Sequence, residues 1–202
     1  MTLPVRVNLL ALPTLTLPLR TRRLLLRDFA PDDLAAMRAY AGDAQVLEHV
    51  LYEARDATQL RTHLERVLAS QRNRPRRAWE LAIVVQRTGR VIGTCDLALT
   101  GRREADVGYM LARRHWGHGY ATEAAAALVD HAFAQLAVER VYALVDVGND
   151  RSRRVLEKAG LRWEALLRRH AHAKGRWWDC HRYGLDRAAW LRTRSEREAL
   201  AS

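Results

Sequence analysis

A chain of 202 residues, 49% of them hydrophobic, fits one domain able to bury about 70% of its unfolded surface; no apolar run approaches the ~20 residues of a membrane span. The two cysteines, Cys95 and Cys180, make no disulfide framework, so a reducing cytoplasm is the expected compartment. The formal net charge of +11 invites a nucleic-acid reading, but only Lys158 and Lys174 of the 34 basic residues are lysine and the arginines are largely dispersed, as codon bias would leave them. Nucleic acid is therefore not expected as the main partner, although a basic surface favours acidic and polyphosphate ligands.

Proline interrupts Leu12 to Pro18 too often for a signal sequence, so residues 1–19 read as a loose lead-in or short edge strand, ahead of one domain over 20–188 and a C-terminal helix or tail over 189–202. Thr21 to Arg27 reads as the first secure strand. Pro31-Asp32-Asp33 opens a helix that runs to Tyr40 and breaks at Gly42. A second helix, 57–71, carries Leu60, Leu64, Val67 and Leu68 on one face. Trp79 to Val85 and Arg90 to Leu99 read as a hairpin across Thr88-Gly89, and Gly101-Arg102-Arg103 turns the chain into Asp106 to Leu111. Val141 to Val145 is apolar without alternation, as expected for a strand covered on both faces. Asn149 or Asp150 can cap a short helix closed by Gly160. Leu161 to His170 and Trp178 to Leu185 form a closing hairpin, and the last helix is expected to pack through Trp190 and Leu191.

The most informative stretch is Asp106 to Leu136. A strand enters Arg114-His115-Trp116-Gly117-His118-Gly119-Tyr120-Ala121, and this turn opens into a helix whose Ala121, Ala125, Leu128, Ala132 and Leu136 make one apolar stripe. Glycines at the start of a helix leave backbone N–H groups unpaired in front of the positive end of its dipole, which suits a phosphate. Thr122 stands where a dinucleotide-binding Gly-x-Gly-x-x-Gly needs its last glycine, and the Gly-Lys-Ser/Thr of a P-loop is missing.

Arg114-x-x-Gly117-x-Gly119 resembles the diphosphate-binding signature of the GNAT superfamily of N-acetyltransferases. Further segments fall in the same order: Thr21 to Arg27, Ile92-Gly93, Gly108-Tyr109, Gly117 to Ala124, Asn149-x-x-Ser152, Val155 to Leu161 and Gly175 to Asp179. The set covers roughly residues 20–190 and is similar to the RimJ/RimL type of ribosomal-protein N-terminal acetyltransferase. The resemblance implies an α/β (α+β) fold: a mixed, mostly antiparallel sheet of six to seven strands with a central parallel β-α-β crossover and helices on both faces. It also implies acetyl-coenzyme A as acetyl donor and a primary amine as acceptor, first a protein N-terminal α-amine, alternatively a small amine such as an amino acid, polyamine or aminoglycoside. A module that binds acetyl-coenzyme A or a partner without turnover is the non-enzymatic alternative. A homodimer would be ordinary for the type.

By that resemblance, the turn of Gly117, His118, Gly119, Tyr120 and Ala121 holds the diphosphate with Arg114, and the strand-edge backbone of Met110 and Leu111 pairs with the pantetheine amides. Asn149 holds the pantetheine, and the Ser152 hydroxyl reaches the sulfur. Asp106, on the same strand face as Gly108, is a candidate base or else the partner of a cross-strand arginine. The ribosomal-protein enzymes place a carboxylate where this chain has Ala171, leaving the flanking His170 and His172 as substitutes. Glu48, His49, Tyr52 and Glu53 lie between the helices that wall the acceptor pocket in the family. The histidines and cysteines match no zinc spacing, and no metal is expected.

Overall fold

The computed structural model of the chain describes residues 14–101 and 103–201. The first part of the expected lead-in and Arg102 of the expected turn lie outside the described residues. The strands are β1 (Leu19–Arg20), β2 (Leu24–Asp28), β3 (Ala78–Val85), β4 (Arg90–Thr100), β5 (Glu104–Leu111), β6 (Arg140–Asp146), β7 (Arg162–Ala173) and β8 (Arg176–Asp186). They form one sheet in the order β1-β2-β3-β4-β5-β6-β8-β7. Among the described strands only β5 and β6 pair in parallel, and α3 (Tyr120–Gln135) is the crossover between them.

Residue alternation divides the sheet into two faces. On one, Leu81, Ile83, Cys95, Leu97 and Val107 pack with α3 and α4 (Asp150–Lys158) in the larger core. The alanines of α3 are its contact surface: Ala124, Ala125 and Ala132 are fully buried, and their short side chains let the helix lie close to the strands. On the other face α1 (Leu34–Ala41) and α2 (Ala57–Ser70) bring Met37, Tyr40, Leu60, Leu64 and Val67 onto Ala82, Val84 and Met110. Helix α5 (Arg187–Ala201) closes the chain. Arg187 donates to the carbonyls of Phe133 and Leu136 at 2.6 and 3.3 Å, capping the C-terminal end of α3.

Several expectations need correction. Among the described residues the sheet has eight strands rather than six or seven, because the two-residue β1 adds to the edge. Of the stretch read as a loose lead-in or short edge strand, Leu15 is buried in the larger core and Leu19 begins the edge strand β1. The first secure strand starts at Leu24: Thr21 is held in a turn, its N–H donating to the Leu24 carbonyl and its hydroxyl oxygen accepting from the Leu24 N–H. Strand β6 is covered on one face only; Val141, Ala143 and Val145 are buried, while Tyr142 and Leu144 are half-buried on the other side, where the Arg182 guanidinium lies over the Tyr142 ring. In α5, Trp190 stacks on Phe133, but Leu191 is exposed.

Candidate active site

Helix α3 begins without a side-chain cap. Its N-cap is Gly119, in the left-handed region at φ 76°, and Gly117 stands at φ 77° with nothing near the position of a Cβ. Two left-handed residues in three turn the chain sharply, a conformation that costs an ordinary residue about 1–2 kcal/mol. The exposed turn presents main chain, with the Arg23 guanidinium 3.4 Å from where a Gly119 Cβ would stand, an arrangement suited to an anion at a helix start. Gly117, His118 and Gly119 are exposed there, and Arg114 is exposed one turn earlier.

The β1–β2 turn buttresses this site through residues that local patterning did not single out. Arg23 donates to the His118 carbonyl at 3.0 Å, lies over the Tyr120 ring, and pairs with Glu123 at 2.6 Å. Glu123 also accepts from the Arg23 N–H and the Thr21 hydroxyl. Burial works against the Glu123 charge, but these hydrogen bonds outweigh it and hold the carboxyl below its usual range.

Next to the turn the sheet splays. Strands β5 and β6 pair only from Glu104 to Asp106, which leaves the β5 edge from Val107 to Leu111 without a partner on that side. The Leu111 carbonyl is taken by the Trp116 indole at 2.8 Å, so the free edge lies chiefly before it. At the end of the splay Asn149 is the N-cap of α4, its side chain accepting from the Ser152 N–H at 3.0 Å. The Ser152 hydroxyl meets the Tyr109 hydroxyl at 2.8 Å. Burial pushes the Tyr109 phenol well up, so it stays protonated.

On the α1–α2 side of the same strands lies a cavity of about 290 Å³, lined by Tyr40, Tyr52, Trp79, Glu80, Asp96 and Met110 among others. Its floor is acidic. Glu80, Asp96 and Gly108 face one another across β3, β4 and β5, and Asp106 is two residues before Gly108 on the same face. A Cβ on Gly108 would stand 2.7 Å from the Asp96 carboxylate, so a larger residue there would push that carboxylate aside. Asp96 is open to the cavity but walled by protein elsewhere; burial, with the Asp106 and Glu80 charges behind it, pushes its carboxyl up to about 7. Burial also pushes Asp106 up to about 6, against the pull of the Val107 N–H and the Arg182 charge. Arg182 forms its ion pairs with Glu104 and Glu164, so the cross-strand arginine expected for Asp106 is engaged elsewhere. His63 bonds Glu80 at 2.8 Å, and the buried Tyr40 hydroxyl has no hydrogen-bond partner among the described residues.

The remaining candidates divide. Of the segment between α1 and α2, Tyr52 reaches Met110 and His49 reaches Asp146, whereas Glu48 and Glu53 are exposed. His170 and His172 are exposed on β7, the far edge strand, and His172 packs edge-on against Trp177. Two strands separate them from β5, so the structure does not bring them to the acidic floor.

Comparison with known proteins agrees with this geometry. The acetyltransferase (GNAT) domain family matches residues 23–162. The N-acetyltransferase p20 of Bacillus licheniformis is 34% identical over 176 residues, spanning 83% of this chain and 94% of its own. RimJ of Mycobacterium smegmatis, solved in complex with CoA-disulfide, superposes with a TM-score of 0.71 at 28% identity, covering 81% of each chain. The spermidine N-acetyltransferase of Vibrio cholerae shares the fold alone, at 19% identity and a TM-score of 0.72 over 85% of this chain and 99% of that one. No helix among the described residues is long and apolar enough to cross a membrane. The unclosed β5 edge, the glycine turn and the family match lead to one assignment: the chain belongs to the GNAT acetyltransferases and is an N-acetyltransferase with acetyl-coenzyme A as its donor.

Proposed function

We propose that the chain moves an acetyl group from acetyl-coenzyme A to a primary amine by direct attack within a ternary complex. The observation that carries this reading is the unpartnered β5 edge, which has the bare glycine turn at one end and the acid-floored cavity beside it. Residues 117–121 and Arg114 hold the diphosphate; the open backbone edge of β5, at Tyr109 and the Leu111 N–H rather than at Met110, whose backbone faces β4, and the side chain of Asn149 hold the pantetheine. N–H groups of β5 stabilise the oxyanion that develops on the thioester, each worth ~3 kcal/mol. Ser152, backed by Tyr109, returns a proton to the departing sulfur.

A protein N-terminal α-amine is the first acceptor class, supported by the resemblance to ribosomal-protein N-terminal acetyltransferases and the likeness to RimJ. The acidic floor favours a second reading, a small aliphatic amine that enters as a cation and is held by Glu80 and Asp96. Thiol release from acetyl-coenzyme A with peptides and with small amines separates them. Release with peptides alone supports the first, release with small amines the second. Tight coenzyme binding with no release for any acceptor would make the protein a binding module instead.

A further inference from the structure

His49 lies between α1 and α2, and Asp146 ends β6. His49 Nδ1 is 2.6 Å from Asp146 Oδ2, and Asp146 is only 8% exposed. Gly148 makes room for the ring: a Cβ there would stand 3.3 Å from His49 Cε1. The pair sits at a particular height in the sheet. Strands β5 and β6 are in register at Asp106 and Tyr142, and four residues along each strand lead to Met110 and Asp146. Across the splay, Tyr52 of the His49 segment touches Met110, with Oη 3.5 Å from Sδ. An ionised carboxylate only accepts, so Asp146 fixes the hydrogen on Nδ1 and leaves the Nε2 lone pair free.

We propose that His49 is the base that takes the proton from the attacking amine, and that Asp146 is its positioning residue. The inference rests on the transfer reading above and names the residue that the substitution at Ala171 leaves unfilled. Asp106 is less well placed: four residues of strand, about 13 Å, separate it from Met110, so it would need a water relay. Of the charged groups near the dyad, Glu48 precedes His49 in sequence, and Lys174 of the β7–β8 turn donates from Nζ to the Leu47 carbonyl at 2.7 Å. Cys180, opposite Asp146, has its thiol pushed up by burial and by the Asp146 and Asp179 charges, and it stays neutral.

The amine nitrogen bonds to the thioester carbon and gives one proton to Nε2; the carbon–sulfur bond breaks with its electron pair on sulfur. The sulfur takes a proton from Ser152, which solvent replaces, and the imidazolium, stabilised by Asp146, releases its proton to solvent.

The test compares wild type, His49→Gln, Asp146→Asn and Asp106→Asn across neutral to alkaline pH, by thiol release with a panel of primary amines and by calorimetric titration with acetyl-coenzyme A. His49→Gln is expected to lower kcat at neutral pH by ~10²–10⁴-fold, with coenzyme affinity unchanged and the loss shrinking as pH nears the amine's own pKa. Asp146→Asn should show a smaller loss with the same shift in profile. His49→Ala, a second variant in case the glutamine protein folds poorly, should recover part of its rate with added imidazole. A wild-type profile in His49→Gln, or one altered only by Asp106→Asn, overturns the assignment while leaving the transfer reading intact. A wild type that binds the coenzyme but acetylates no amine overturns both.

Discussion

The hydroxyls of Tyr109 and Ser152 lie 2.8 Å apart, and the Tyr109 phenol also reaches the Ser152 carbonyl at 3.0 Å. Tyr109 comes from β5 and Ser152 from the first turn of α4, so this contact ties the two sides of the splay together. One phenolic hydrogen thus has two acceptors on the same residue. When Ser152 gives up its own hydrogen, the phenol can turn to the bare oxygen and support its charge.

Ser152→Ala and Tyr109→Phe should each lower kcat more than they weaken coenzyme binding, and their effects should not add. A double-mutant cycle on kcat is expected to show a coupling of about 0.5–3 kcal/mol, the range for residues sharing a hydrogen-bond network. Additive losses would mean that Tyr109 is only a packing residue.

The phosphate turn offers a second test. Gly119→Trp should abolish acetyl-coenzyme A binding, because the new side chain enters the turn and the residue must keep a positive φ. Arg23→Ala should leave the fold intact and weaken binding by about tenfold, since the guanidinium holds both the His118 carbonyl and Glu123 in place. Calorimetric titration measures both. Unchanged affinity in either variant would remove that residue from the coenzyme site.

The turn was legible in the sequence because its signals are local. Glycines before an alanine stripe, and Asn149 before Ser152, lie within a few residues of the partners they serve. The acidic floor and the His49–Asp146 dyad were not legible for the opposite reason. Asp96 meets Gly108 only through the β4–β5 register, and His49 finds Asp146 across 97 residues of chain. Val141 to Val145 misled for a related reason: its unbroken apolar run predicts two covered faces, yet Tyr142 is half-covered by an arginine rather than by a helix. In the same way Arg23 looked like any strand arginine until the fold brought α3 against β2.

Asp96 carries a pH prediction. Its carboxyl titrates near 7 in the folded protein against 3.8 ordinarily, so between those values the folded state binds more protons than the unfolded one. Stability is therefore free of this cost below about pH 4 and falls as pH rises through about 7. Asp96→Asn, which carries no charge, should raise Tm at pH 8 and change it little at pH 4. Thermal melts at the two pH values check this, and an equal shift at both would mean that the carboxylate is not strained by burial.

Tyr40 separates binding from stability at the same cavity. The residue is 1% exposed in the α1–α2 core, among those that line the cavity, and its hydroxyl has no hydrogen-bond partner among the described residues. A buried hydroxyl left unpaired costs about 1–3 kcal/mol, so its retention makes sense if the acceptor supplies the missing partner. Tyr40→Phe should then stabilise the free protein, raising Tm by ~2–4 °C, while raising KM for the amine and leaving acetyl-coenzyme A affinity unchanged. A residue kept only for packing would move neither quantity in that combination. If Tyr40→Phe lowers Tm, the hydroxyl is paired in solution and the cavity is not waiting for a polar guest. If Tm rises with no change in KM, the acceptor lies elsewhere on the sheet.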